Sequence, residues 1–234
     1  RRYVVMNKTS IKMLLYILFA LLYIANSVYL TQISGLFIHS AIVWNLFLAV
    51  LPLLCSIIYT HTASHHQVIH ILSFIAWLLL FPNAPYMITD FIHLAPLSFY
   101  EFTATGSIYL QNIFTWIQLL HIALGVFIGV LTGFKSLSII HDDFKKRFPT
   151  YVVAILMVFI FLSTGYGVFL GRFLRLNSWD ILHPITLFLQ IISQTNLFAI
   201  LFSITFAIFL GILYTFYRSL SQKKNPQCED SSII

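Results

Sequence analysis

Arg172 and Arg175 stand three apart in GYGVFLGRFLRLNSWD, residues 165–180, at the end of an apolar run. Guanidiniums one helical turn apart share a face, and paired planar donor forks suit a bidentate grip on carboxylate or phosphate. A second set lies in FPNAPYMITDFIHL, residues 81–94, where Asp90 and His93 are also one turn apart. Either can act as a base, and the carboxylate can pair with an arginine. Asn83, between two prolines, is placed to cap a helix that restarts after a break. Asn177 and Asp180 close the arginine segment. The candidate ligand-binding set is therefore Asn83, Asp90, His93, Arg172, Arg175, Asn177 and Asp180.

Each has a plainer use. The arginines can snorkel to lipid headgroups, or pair with Asp90 or Glu101 only to hold the fold. Asn177-Ser178-Trp179-Asp180 is close to a capping box, which would make Asp180 a helix-start residue. Asp90 and His93 can simply meet water where Pro82 and Pro85 end a span.

Other chemical signals are thin. His61, His65, His66 and His70 crowd THTASHHQVIH, and His66 and His70 are four apart. With no carboxylate or thiolate nearby, no metal site is assigned. Cys55 lies in an apolar run and Cys228 in a polar tail, so no disulfide framework or paired-cysteine metal site is available. Nucleophile elbow, HExxH, phosphate loop and dinucleotide fingerprint are all absent, and no cofactor is expected.

The elements that must position these residues are membrane spans. The chain is 59% apolar and 9% charged, against about a quarter charged in soluble domains. A bilayer core of about 30 Å needs roughly 20 helical residues. Runs at 11–31, 37–59, 112–134, 151–171 and 196–217 meet that length. A sixth, 68–82, covers about 22 Å and is too short alone. It crosses either as a kinked helix to about Leu94 or as two half-helices, the second capped by Asn83. Eleven of the 13 Lys and Arg then fall on one side if both termini are cytoplasmic; only Arg172 and Arg175 lie outside. The net charge of +6 therefore sets topology and meets anionic lipid, and nucleic acid is not a partner.

Residues 1–10 read as a cytoplasmic N-terminus, with Met6 as the natural start, 1–5 as an upstream extension and the first span uncleaved. Residues 11–217 form one polytopic domain, and 218–234 a disordered cytoplasmic tail. The longest loops are 95–111 outside and 135–150 inside. In 179–194, Asp180, His183, Thr186, Gln190, Ser193 and Gln194 share one arc, so an amphipathic helix precedes the last span. It lies flat in the outer headgroup layer or folds inward with its polar stripe facing a cavity. Gly125, Gly129 and Gly133, and Gly167 with Gly171, form small-residue faces for close helix packing within the chain or across a homodimer. His121 shares the first glycine face and is expected to be buried.

Several of these segments resemble a family of bacterial multi-pass membrane proteins, domain of unknown function 1361. The resemblance rests on Trp44-Asn45-Leu46-Phe47-Leu48-Ala49, Trp77, Phe81-Pro82-Asn83-Ala84-Pro85-Tyr86, Thr89-Asp90, His93-Leu94, Leu170-Gly171-Arg172-Phe173-Leu174-Arg175 and Asn177-Ser178-Trp179-Asp180. Where the family has a Trp-Tyr-Asp triplet after the His-Leu, this chain has Phe99-Tyr100-Glu101. The resemblance implies the bacterial cytoplasmic membrane and no particular activity.

The expected fold is an all-α bundle of about six spans plus an outer-face amphipathic helix. The leading functional reading is binding or transport of a small polar or anionic solute or a lipid headgroup, with membrane lipid as surroundings. A membrane enzyme acting on a lipid-linked substrate is the second, and a non-catalytic assembly protein the third. Transport predicts a polar path inward past Asn45, His121 and Gln190. An enzyme predicts a closed floor with a side opening to lipid, and a scaffold predicts no pocket.

Overall fold

Gly125, Gly129 and Gly133 form a ridge along the longest helix, and three different elements settle on it in turn. In the computed structural model, which describes residues 8–63, 66–176 and 183–222, a side chain added at Gly125 would collide with Tyr23 and Ile42. At Gly129 it would collide with Met87, and at Gly133 with Ala84. This glycine face therefore serves packing within the chain. The same holds at Gly167 and Gly171, which seat Pro82 and Tyr86.

Among the described residues six apolar helical segments are long enough to cross a bilayer, and the protein is a multi-pass membrane protein with an all-α bundle. The elements are α1 (Lys8–Ser34), α2 (Ile38–Thr62), α3 (Gln67–Leu80), α4 (Asn83–Tyr86), a 3-10 helix (Met87–Leu94), β1 (Tyr100–Thr103), β2 (Gly106–Tyr109), α5 (Ile113–Arg147), α6 (Thr150–Phe173), α7 (Pro184–Gln194) and α8 (Leu197–Gln222). α2 packs along α5 and α3, with α1 against α2, while α6 pairs with α8. The two groups meet through α4 against α6 and through α5 against α6 and α8.

The third span takes the first of its two expected forms, a kinked helix to Leu94, and its last eight residues are 3-10 helix. Pro82 and Pro85 lack N–H donors, so the α-helical ladder fails after Leu80, yet the backbone keeps its helical sense through α4 into eight residues of 3-10 helix. The Asn83 side-chain amide donates to the Leu80 carbonyl at 2.9 Å. It thus replaces a lost backbone donor and does not cap a new helix. Trp77, fully buried, anchors the segment by donating to Ser136 Oγ at 3.2 Å.

α5 runs through most of the expected inner loop. Its 35 residues span about 52 Å, well beyond the hydrocarbon core. Polar partners hold the extension: Tyr59 donates to Asp143 at 2.6 Å, Asp143 pairs with Arg147 at 2.8 Å, and Asp142 pairs with Arg218 at 2.6 Å. At the other end the expected outer loop folds back as a hairpin, Tyr100 opposite Tyr109 and Thr103 opposite Gly106, with Glu101 exposed. α8 continues to Gln222, past the expected start of the tail.

His121 is buried as expected. Its Nε2 meets Ser27 Oγ and its Nδ1 meets Asn26 Nδ2, both at 3.1 Å, and its ring stacks on Tyr23. His70 stacks on Tyr59 and meets its carbonyl at 2.8 Å, a packing role. His65 lies outside the described residues.

Candidate functional site

The 3-10 helix determines which side chains meet at the hairpin end of the bundle. At three residues per turn, Met87, Asp90 and His93 stack on one face. Met87 and Asp90 are buried against α5 and α2, and His93 reaches the edge. The glycines at 167 and 171 bring α6 close enough for Arg172 to reach across.

Arg172 donates through NH2 to Asp90 Oδ1 at 2.5 Å and through Nε to Thr89 Oγ1 at 2.8 Å. Its NH1 stands 3.4 Å from His93 Nε2, and its guanidinium carbon lies 4.2 Å from the centre of the Tyr86 ring. The second carboxylate oxygen of Asp90 accepts from Asn45 Nδ2 at 2.9 Å. The ion pair is nearly dry, with side chains 14% and 2% exposed. A buried carboxylate with both oxygens engaged is a fixed anion, and Arg172 is its counter-ion.

Arg175 departs from the expected shared face. α6 stops at Phe173, and Arg175 adopts φ +56°, the left-handed conformation that lets the Leu176 N–H return to the Leu170 carbonyl. The two arginines thus sit on either side of a helix stop. Both still bear electrostatically on the Tyr86 phenol, and Arg175 is exposed. A non-glycine residue in this conformation costs about 1–2 kcal/mol.

Beside the ion pair opens a cavity of about 520 Å³ between α2, α3, α4, α6 and α7. Asn45, Asn83 and Tyr86 line its hairpin end; Leu48, Leu51, Leu78, Leu170 and Ser163 line the rest. Ser163 lies ten residues before the end of α6, so the cavity runs roughly 15 Å down that helix. Half of a hydrocarbon core of about 30 Å is the depth of one leaflet.

A model of a family of proteins of unknown function, DUF1361, matches residues 44–213. The chain belongs to the DUF1361 family. No curated protein and no solved structure matches it. In this DUF1361 protein the matched segment holds both partners of the ion pair and every residue lining the cavity, whereas α1 lies outside it.

Of the residues expected at the site, Asp90, His93 and Arg172 meet directly. Asn83 lines the adjoining cavity, and Arg175 follows the helix stop next to it. Asn177 and Asp180 lie outside the described residues. Asn45, Tyr86 and Thr89 complete the cluster and are outside the candidate set. Their signal was position: Tyr86 and Thr89 lie one 3-10 turn apart beside Asp90.

The expected polar stripe of the amphipathic helix does not face this cavity: His183, Thr186 and Ser193 are exposed, and Asp180 lies outside the described residues. Leu187 and Ile191 of α7 line the cavity, while Ile185, Leu189 and Ile192 are exposed.

Proposed function

We propose that the protein binds a membrane amphiphile with an oxyanion headgroup, in the leaflet facing the hairpin end. The observation that carries this reading is the union of a polar cluster with an apolar cavity one leaflet deep. A volume of about 520 Å³ falls in the range of roughly 300–1,000 Å³ typical of small-molecule sites. An alkyl or isoprenoid chain fits its leucine walls. The Asp90 charge offsets that of Arg172, and Arg175 adds a second guanidinium next to the cavity wall at Leu176.

Solute transport draws less support. Below Asn45 the polar lining is Ser163, whose hydroxyl bonds to Phe159 and Ile160 carbonyls in its own helix, and Tyr166, whose hydroxyl bonds to that of Thr195. His121 belongs to a separate cluster with Asn26 and Ser27. General-base catalysis by Asp90 is disfavoured because both oxygens are engaged. A cavity of this size also disfavours a purely structural scaffold.

Purified protein in phosphatidylcholine nanodiscs should bind phytanyl phosphate. Leu48→Trp fills the cavity and should weaken that binding about tenfold or more with little change in melting temperature. Arg175→Gly should weaken binding several-fold, because it removes the guanidinium at a position whose φ of +56° glycine adopts without strain. Wild type that ignores the lipid, or a Leu48→Trp variant that binds it as well, would sink the reading.

The proposal places the hairpin outside and both termini in the cytoplasm, from the 11-to-2 division of basic residues. In intact cells an impermeant thiol reagent should label a single cysteine at position 98 and not at 146, with native cysteines removed. The reverse pattern would invert the site to the inner leaflet.

A further inference from the structure

A second cavity of about 410 Å³ lies across the outer end of α6 from the first, walled by α6, α7 and the start of α8. Its floor is aromatic: Phe169 and Phe173 stack at 5.3 Å, and Phe198 meets Phe173 edge-on at 5.1 Å. Its rim is amide, from Gln190, Gln194 and Asn196. Among the described residues no charged side chain lines it.

α7 is turned so that its inward side serves both cavities: Leu187 and Ile191 line the first, Gln190 and Gln194 the second. Its outward side is Ile185, Leu189 and Ile192. Amides on a helix whose back faces lipid must find partners on the protein side. Among the described residues, neither Gln190 nor Gln194 has a side-chain hydrogen bond. Asn196 spends its oxygen on the Ala199 N–H at the head of α8, and its amide hydrogens remain.

Amides both donate and accept, as hydroxyls do, so three of them around this cavity match a polyhydroxylated group. The negative faces of the phenylalanine rings attract the C–H face of a saturated ring. We propose that this cavity holds the sugar ring of the same amphiphile, a glycosyl phospholipid with its chain in the first cavity and its phosphate by Arg175. This rests on the amphiphile-binding reading above.

Three probes separate the possibilities in phosphatidylcholine nanodiscs free of sugar detergent: phytanyl phosphate, its glucosyl diester and its glycerol diester. Wild type should bind the glucosyl diester about tenfold tighter than either of the others, since a site built for hydrogen bonding discriminates against ligands lacking the group. Gln190→Leu with Gln194→Leu should abolish that preference and leave phytanyl phosphate affinity unchanged. Equal affinity for all three probes, equal affinity for the glycerol and glucosyl diesters, or a preference that survives the double substitution would each overturn the sugar proposal alone. Failure to bind any of the three would overturn the amphiphile reading as well.

Discussion

Replacing Asp90 with leucine is expected to destabilise the protein by about 3–5 kcal/mol, the cost of stranding a buried charge. Arg172 is 14% exposed and has no second carboxylate partner among the described residues: Thr89 is a hydroxyl, His93 an imidazole and Tyr86 a ring face. Arg172→Leu should cost a similar amount, because Asp90 would keep only the Asn45 amide. The double variant, Asp90→Leu with Arg172→Leu, should recover most of the loss, since an apolar pair removes the desolvation penalty with the attraction. Denaturation of the four proteins in one detergent measures the coupling. Strictly additive losses would mean that the pair is not formed.

Gly165→Ala should lower stability by about 1–3 kcal/mol, and Gly211→Ala should be neutral or gain up to about 1 kcal/mol. The two glycines lie on the paired helices α6 and α8 but face different surroundings. A methyl at 165 meets the Ser203 backbone carbonyl of α8, which cannot move without separating the helices. A methyl at 211 meets Phe161 ring carbons at 3.8 Å, ordinary contact. Equal tolerance at both sites, by thermal denaturation, would rule out the close α6–α8 approach.

Both expectations turn on features of unequal visibility in the sequence. The Asp90–Arg172 partnership was legible, because charges at the ends of spans finishing on the same side seek each other. The closest glycine contact to backbone was not, because Gly165 belongs to neither small-residue motif. The shared arginine face was misread. A helix stop in the left-handed conformation normally announces itself with glycine, and here the position is Arg175. The extension of α5 was hidden because hydropathy falls at Lys135; its polar residues are matched by Tyr59 and Arg218, far away in sequence.

By itself the sequence determined the membrane class and the number of spans, since a bilayer demands about 20 apolar helical residues whatever surrounds them. It also marked the polar stripe of α7 and the double-proline break, which are local patterns. Which way that stripe turns, where Arg175 stands relative to Arg172, and whether a cavity opens between α2 and α6 were decided by tertiary structure alone. Each depends on how closely two helices approach, and that distance is set by side chains and glycines on different elements, here Pro82 and Tyr86 against Gly167 and Gly171.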